Sequence, residues 1–150
     1  TDAFGTLDLL LDKQEIKNAV PSRGGCSKLV HLSLYANVTT NSDIAILFFD
    51  NSTGIGANAN EAMTNVTDAE FQAAGFIGMV LLDGGDAAVS VGNGLVYASP
   101  GNTDKAGLLP ILLKAADGET SIWFAAISVN GTPTYAANGL DFVFGVEYLG

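Results

Sequence analysis

The sequence predicts an all-β protein, either an antiparallel β-sandwich of jelly-roll-like type or a barrel, with one short helix. Short apolar runs alternate with turn residues along the chain, which contains 18 Gly together with many Asn, Thr and Asp residues. Such spacing is typical of all-β proteins. Of the 150 residues, 48% are hydrophobic and only 15% are charged, which is enough for one sizeable core. We therefore expect residues 1–150 to form a single β domain.

The C-terminal region contains the two clearest strands. Alternate residues of the last one are apolar, namely Leu140, Phe142, Phe144, Val146 and Tyr148. This period of two is what a half-buried strand requires. The run Ser121–Val129 is apolar almost throughout, and its β-branched and aromatic residues favour a strand over a buried helix. Because both of its faces are apolar, we expect this strand to be covered on both sides.

The N-terminal segment Thr1–Asp12 is rich in leucine and has two interpretations. It is either a first strand or an arm that docks on a neighbouring subunit, since terminal segments are usually poorly ordered unless they are tied down. On the second interpretation, this segment and the polar loop Asn51–Asn60 form the partner-facing surface. The predicted interface residues are Phe4, Leu7, Leu9, Leu10, Leu11 and Ile55.

Two further strands are predicted at Leu29–Val38 and Ile44–Phe49, on either side of a turn at Asn41–Ser42. In the first strand, one face is expected to carry Val30, Leu32, Leu34, Ala36 and Val38, and the other His31, Ser33, Tyr35 and Asn37. The second strand is apolar throughout. Because the connection is short, the simplest arrangement is an antiparallel hairpin.

A short helix is predicted between Thr67 and Gly75. Thr67 and Glu70 have the spacing of a capping box, in which each side chain accepts a hydrogen bond from a free backbone N–H. Gly75 stands where a left-handed residue would end the helix.

The remaining strands are short and separated by turn residues. They are predicted at Phe76–Leu82, Ala87–Val91, Leu95–Ala98 and Leu108–Ala116. Pro110 inside the last of these indicates an edge position or a bulge, because proline has no N–H to donate. The turns at Asp83–Asp86 and Asp117–Gly118 both favour hairpins, and Ser99–Lys105 is predicted to be a loop.

The charge of the chain limits its partners. Sixteen acidic and six basic residues give a formal net charge of −10, and the sequence contains no Lys/Arg cluster. We therefore expect no binding to nucleic acid or to an anionic membrane surface. No segment reaches the roughly 18 apolar residues of a membrane span, and the opening TDAFGTLD does not have the pattern of a secretory signal. Thr1 would suit removal of an initiator methionine, so we expect a chain close to full length.

The sequence contains no recognisable catalytic or metal-binding constellation, and we expect neither an enzyme nor a cofactor. Cys26 is the only cysteine and His31 the only histidine, which makes a zinc site or a thiol–imidazole pair implausible. Asp83-Gly84-Gly85-Asp86 lacks the alternating ligands of a calcium loop and is better read as a turn. Trp123 lies within an apolar run, so a core position is favoured over a sugar-stacking platform.

Four stretches of the chain form a pattern together: SDIAILFFDNS (Ser42–Ser52), the helix start TDAEF, the strand and turn GMVLLDGGD, and the ending GTPTYAANGLDFVFG (Gly131–Gly145). This pattern resembles that of a group of small virion proteins of tailed bacteriophages. The likeness extends from about Ser27 to Gly145 and is one of pattern, with no catalytic motif in it.

The resemblance implies capsid decoration, also called cement function. A protein of this kind binds the outside of the mature head, so the implied partners are the major capsid protein and further copies of the chain, most simply in a homotrimer. The implied location is the exterior of the virion, after synthesis in the cytoplasm of the bacterial host. Two alternatives remain: a β module that binds carbohydrate or a host surface, as a head fibre or adhesin does, and a glycosidase-like β-sandwich with two converging carboxylates.

Overall fold

The computed structural model describes residues 2–38, 40–85, 88–97, 109–135 and 138–150. Within these ranges the chain forms strands joined by turns, with one α-helix and one turn of 3₁₀ helix at Met63–Asn65. The elements are β1 (Asp2–Ala3), β2 (Leu9–Ile16), β3 (Cys26–Ala36), β4 (Ile44–Phe49), α1 (Asp68–Ala73), β5 (Phe76–Leu82), β6 (Ala88–Val91), β7 (Gly94–Tyr97), β8 (Ile111–Lys114), β9 (Ile122–Ser128), β10 (Thr134–Tyr135) and β11 (Leu140–Leu149). The predicted all-β class with one short helix is confirmed.

The strands form two main antiparallel sheets. One has four strands in the order β2-β9-β4-β5. The other has five, with the order β11-β3-β7-β6 and with β8 paired to β3. The small ribbon of β1 and β10 stands apart from both.

The principal core lies between the two sheets, which is the arrangement of a β-sandwich. It is built from alternate residues of each strand, among them Leu29, Leu32, Leu34, Ile44, Ile46, Phe48, Val80, Leu82, Leu95, Tyr97, Leu113, Ile122, Phe124 and Ala126. Alternation puts these side chains on the inner faces because successive residues of a strand point to opposite sides.

A second core covers the outer face of the four-stranded sheet. It contains the buried residues Leu9, Leu47, Phe49, Ile55, Ala74 and Ala125, with Met63, Val66, Phe71, Trp123 and Ile127 packed against them. We call this group the outer cluster. The loop after β4 and helix α1 supply its upper layer. Strands β4 and β9 are therefore apolar on both faces because both faces are covered, as predicted for residues 121–129.

Helix α1 begins and ends as its sequence predicts. The side chain of Thr67 accepts from the N–H of Glu70, and the Glu70 carboxylate accepts from the N–H of Thr67 at 2.9 Å. The Thr67 hydroxyl also donates to the Glu70 carboxylate at 2.6 Å, and this bond, together with the one from the Thr67 N–H, holds the pKa of Glu70 below its ordinary value. Gly75 has φ +71°, in the left-handed region, directly after the helix.

A β-bulge changes the predicted faces of β3. His31 pairs with Gly145 and Leu29 pairs with Val146, so Val30 has no partner on β11. Beyond the bulge the alternation shifts by one residue, which buries Leu29 completely and leaves Val30 45% exposed. The prediction that Val30 shares the inner face with Leu32 was wrong for this reason.

The predicted hairpins around β4 and β9 were also wrong. Strand β3 pairs with β11, β7 and β8, whereas β4 pairs with β5 and β9. Likewise, β8 and β9 do not form the hairpin predicted across Asp117–Gly118, because β8 pairs with β3 and β9 lies in the four-stranded sheet. In both cases the turn carries the chain from one sheet to the other, because a strand that is apolar on both faces is buried best between two neighbours and two layers.

Other predicted elements lie where expected or beyond the described ranges. Strands β6 and β7 pair across Gly92-Asn93-Gly94. Strand β8 starts immediately after Pro110, so the proline is outside its hydrogen-bonded part. Residues 83–85 form a turn between strands of different sheets, which is not a hairpin. Asp86 and the predicted loop 99–105 are outside the described residues.

Candidate functional site

The sandwich is open on one side, and the opening is the larger candidate site. Strands β2 and β11 are the terminal strands of their sheets, and both line one cleft of about 810 Å³. On the opposite side, β8 approaches β5, where a Cβ atom at Gly78 would lie 3.5 Å from Cδ1 of Ile111. One side of the core is therefore closed and the other is accessible. We call the accessible side the open cleft.

Aromatic and aliphatic side chains form the wall of the open cleft. Phe124 of β9 contacts Phe144 and Phe142 of β11, with ring centroids 4.7 and 5.1 Å apart. The rings of Phe142 and Phe144 are parallel within 1° and 6.0 Å apart. Phe4, Leu10, Leu11, Ile16, Tyr135 and Leu140 complete the apolar lining. The period of two in β11 produces this wall, because it directs both phenylalanines to the inner face at a place where no further strand of the described residues covers them.

A buried hydroxyl group belongs to the same wall. The ring of Tyr135 is 5.8 Å from that of Phe4, and the residue is only 5% exposed. Its OH has no hydrogen-bond partner among the described residues. Burial raises the pKa of Tyr135 well above its ordinary value, and Tyr97 raises it further. The OH of Tyr97, in contrast, donates to the carbonyl oxygen of Ser42 at 2.7 Å.

The rim of the open cleft is polar. Its side chains are Gln14, Glu15, Lys17 and Asn138, and all four residues are exposed. Glu15 also accepts a hydrogen bond of 2.6 Å from Ser121 Oγ, which joins β2 to the start of β9. An apolar wall with a small number of polar groups is the usual composition of a binding site.

The outer face of the five-stranded sheet is a second candidate surface. Eight large apolar side chains are exposed in the described part of the chain. Five of them, at 45–65% exposure, point outward from this sheet: Val30, Val89, Val91, Leu112 and Val143. We call it the outer face. It contrasts with the four-stranded sheet, whose outer side is covered by the outer cluster.

Charges on the outer face are balanced. Lys28 and Lys114 lie on it together with Asp141 and Glu147, and Lys28 is level with Glu147 across the β3–β11 pair. The chain as a whole has a net charge of −10. The outer face thus combines exposed apolar side chains with balanced charges in an acidic chain, which is a combination found at contact surfaces.

Lys13 links the four-stranded sheet to the loops above it. Its Nζ donates to the carbonyl oxygens of Asn51, Thr53 and Ala74 at 3.1, 2.6 and 2.7 Å. The same nitrogen is 4.0 Å from the centroid of the Phe49 ring, a cation–π contact. Burial lowers the pKa of Lys13 to about 8, although Asp50 acts in the opposite direction. This arrangement serves the outer cluster and has no access to the open cleft.

The predicted interface residues are mainly inside the chain's own cores. Phe4 and Leu10 are buried in the principal core and reach the wall of the open cleft. Leu9 and Ile55 are buried in the outer cluster. Leu7 and Leu11 are half-buried, and Leu11 lines the open cleft. A role for these six residues in subunit contacts stays a prediction, but only Leu7 and Leu11 present appreciable side-chain surface.

Sequence reasoning missed the residues that form the two candidate surfaces. The alternation in β11 predicts a buried face for Phe142 and Phe144 but does not predict an accessible cleft, and it does not single out Val143. Val30 was assigned to the wrong face. The available signal was the presence of apolar residues on both faces of β11. If one face of such a strand packs on the core, the apolar residues of the other face need a second layer or a partner to cover them.

The residues considered for chemistry are dispersed. Cys26 is half-buried and His31 is exposed, both on β3. Asp83 is buried in the turn after β5 and accepts from the N–H of Gly85 at 2.8 Å. No group of three or more potential metal ligands is found within the described ranges. Trp123 is half-buried and packs against the outer cluster, on the opposite face of β9 from Phe124.

Comparisons with protein-family models, with curated proteins and with solved structures find no match to this chain. In the described residues, no helix has the length and apolar character needed to span a bilayer.

Proposed function

We propose that this protein is a structural component of a virion, which decorates and stabilises the capsid of a tailed bacteriophage by binding its outer surface as a symmetric oligomer. The resemblance of residues 42–52 and 131–145 to small tailed-phage virion proteins suggests this class. The observation that carries the proposal is the outer face, because a decoration protein needs a contact surface and no chemistry.

The physical argument concerns charge and burial. Two chains with a net charge of −10 repel each other, and the repulsion is weakest where opposite charges are paired on an apolar surface. The outer face has Val30, Leu112 and Val143 exposed beside two lysines and two carboxylates. Burying it against capsid subunits or neighbouring copies removes apolar area from water, so separating capsid subunits would also have to break those contacts. Closed symmetry is the default for such components.

The first test is the oligomeric state of the purified protein by native mass spectrometry. We expect a trimer for the natural sequence and a monomer for Val143→Glu and Leu112→Glu, each of which places a charge on the outer face. Met79→Glu is the matched control, because Met79 is exposed on β5, away from this face. Circular dichroism verifies that each variant is folded. The same oligomeric state for all four proteins would refute the role of the outer face in self-association.

The second test is binding to the capsid. The protein is mixed with mature heads of the phage whose genome encodes it, from which the native copies have been removed, and the heads are sedimented. We expect cosedimentation of the natural protein and of Met79→Glu, with little or none of Val143→Glu. Failure of the natural protein to cosediment would contradict capsid decoration, whatever its oligomeric state.

The open cleft favours a second candidate, a module that binds carbohydrate or a host surface. Parallel phenylalanine rings and a polar rim resemble the composition of a sugar-binding groove. Trp123 lies on the other face of its sheet, so its fluorescence would be a poor reporter of this site. The suitable measurement is a titration with soluble oligosaccharides, followed through the aromatic NMR signals of Phe142 and Phe144.

A further inference from the structure

The open cleft is bordered by two strand edges, and this feature decides what it can bind. Each strand has two edges. In the described part of the chain, β2 pairs with the strand β9 along one of its edges, and β11 pairs with the strand β3 along one of its edges, which leaves the second edge of each to be considered. The first residues of β2 have partners on their second edge too, since Leu9 exchanges backbone hydrogen bonds with Glu61 and Asn60. Residues 13–16 of β2 and the whole of β11 have no second neighbouring strand in the described part of the chain. Each therefore presents a row of backbone donors and acceptors.

We propose that the open cleft binds an extended segment of a partner polypeptide, which adds to the free edge of β11 as a further strand. Only a polypeptide provides N–H and C=O groups with the repeat of a strand edge, and such addition is a recurring mode of peptide recognition. The incoming segment closes the open side of the sandwich, as β8 closes the opposite side.

The wall of the cleft determines the side chains of this segment. A strand repeats its side-chain direction every two residues, about 6.6–6.8 Å. The parallel rings of Phe142 and Phe144 are 6.0 Å apart, so they offer one contact for each inward side chain of a neighbouring strand. The segment must accordingly be apolar at alternate positions.

The charges near the cleft determine the remaining positions. Outward side chains of a strand added to β11 lie beside the outward side chains of β11, among which Asp141 and Glu147 are exposed carboxylates, with Lys28 one strand further from the edge. On the rim, Glu15 is an exposed carboxylate and Lys17 is the one exposed cation. The outward side chains of the bound segment are thus best supplied by Lys or Arg. A segment from a second copy fits less well, because every copy adds the same acidic excess. A sugar also fits less well, because the polar side chains are confined to the rim and the wall is hydrocarbon.

The test uses a synthetic peptide of alternating Val and Lys, titrated into the full chain at physiological salt and followed by amide NMR. We expect saturable shifts confined to β2, β11 and the residues between them. Two control peptides separate the contribution of side-chain alternation from that of backbone hydrogen bonds. One has the same composition with all Val before all Lys, and the other is methylated at alternate backbone nitrogens. Each should bind at least about tenfold more weakly, the first through lost alternation and the second through lost N–H donors.

Variants on two strands of the five-stranded sheet assign the site. Phe144→Ser removes part of the wall and should weaken peptide binding at least about tenfold, whereas Leu112→Glu lies on the outer face of β8, away from the free edge of β11, and should leave it unchanged. If Phe144→Ser does not fold, Gln14→Trp fills the cleft from its exposed rim and should have the same effect. The proposal goes beyond capsid decoration, and the two fail separately: native mass spectrometry responds to Leu112, and peptide binding responds to Phe144 or Gln14.

Four outcomes would overturn the proposal. The first is absence of saturable binding by the alternating peptide, and the second is equal binding by the methylated peptide. The third is displacement of the peptide by a soluble oligosaccharide, which would assign the cleft to carbohydrate. The fourth is protein-concentration-dependent change of the cleft signals without any peptide, which would assign it to a second copy.

Discussion

Single side chains connect parts of this protein that are distant in sequence, and Lys13 is the clearest case. One ammonium group satisfies three carbonyl oxygens from the loop after β4 and from the end of α1, over the ring of Phe49. Hydrogen bonds from a charged donor are stronger than neutral ones, and carbonyls left without a donor lose free energy. Lys13 is thus one of the polar contacts that fasten the outer cluster to β2.

Replacing Lys13 by Met should lower the free energy of unfolding by about 1–3 kcal/mol at pH 7, because three carbonyls lose their donor. Chemical denaturation measures the change. Lys17→Met, at an exposed position four residues along, is the control and should have an effect within about 0.5 kcal/mol. An effect of Lys13→Met no larger than that of the control would contradict this account.

The pH dependence of stability gives an independent view of Lys13. Its pKa is about 8 in the folded protein and near 10.5 when unfolded. Between these values the unfolded chain binds a proton that the folded chain does not, so this group makes stability rise with pH from about 8 to 10.5. Lys13→Met should abolish that rise. The comparison requires unfolding curves of both proteins across this range, and parallel pH profiles would contradict the assignment.

Tyr135 makes stability depend on pH in the direction opposite to that of Lys13. Burial raises its pKa above the ordinary value near 10, so above that pH the folded chain retains a proton that the unfolded chain loses. Its contribution to stability is complete below pH 10 and declines as the pH rises further. The stability of Tyr135→Phe should decline less than that of the natural protein over the same pH range. At pH 7 this variant should be as stable as the natural protein or more so, by up to about 1 kcal/mol, since it removes a buried hydroxyl without a partner. A loss of stability at pH 7 would indicate that the hydroxyl does have a partner.

Individual elements in this fold depend on their ends. Helix α1 has only six residues and would not persist alone, so its capping box and the left-handed Gly75 are important. Gly75 has a second constraint, since a Cβ atom there would clash with Oδ1 of Asp50 and Nδ2 of Asn51. The end of α1 is therefore packed directly on the end of β4.

The substitution Gly75→Ala tests this junction. Gly92→Ala is the matched control, because Gly92 also has positive φ but a Cβ there would meet nothing within 4 Å. The control should cost about 1–2 kcal/mol for the left-handed backbone alone. Gly75→Ala should cost clearly more, since it adds the steric clash. Equal losses in denaturation experiments would show that Asp50 and Asn51 move aside freely.

At the scale of the whole molecule, two sheets share one core that is closed by β8 and open between β2 and β11. In the described part of the chain, most of the other exposed large apolar side chains lie on the outer face. An acidic protein with an accessible cleft and an apolar face has more contact surface than a fold needs for its own stability. This is the physical basis for the proposed role in assembly.

The net charge of −10 predicts a salt effect on the whole molecule. Repulsion among carboxylates is stronger in the compact state than in the unfolded chain, and salt screens it over a Debye length of about 8 Å at 0.15 M. The unfolding temperature should therefore rise with NaCl at low concentration and level off at a few hundred millimolar. Calorimetry measures it. A fall in unfolding temperature over the same range would mean that attractive ion pairs outweigh the repulsion.

Local features of the fold were predictable because their causes lie within a few residues. The alternation of β11, the two covered faces of β4 and β9, and the capping box of α1 each follow from neighbouring side chains. The left-handed turn at Gly75 was predictable for the same reason.

Strand pairing, the bulge and both candidate surfaces were decided by the tertiary structure alone. Val30 turned outward because Gly145, more than 100 residues away, pairs with His31. The hairpin predicted between β3 and β4 gave way to pairing in separate sheets, and no local pattern distinguishes the two arrangements. Phe142 and Phe144 became an accessible wall because β11 ended at the edge of its sheet beside β2. By itself the sequence determined which residues share a face; the contacts between distant segments decided which of those faces remained open, because exposure depends on what the rest of the chain covers.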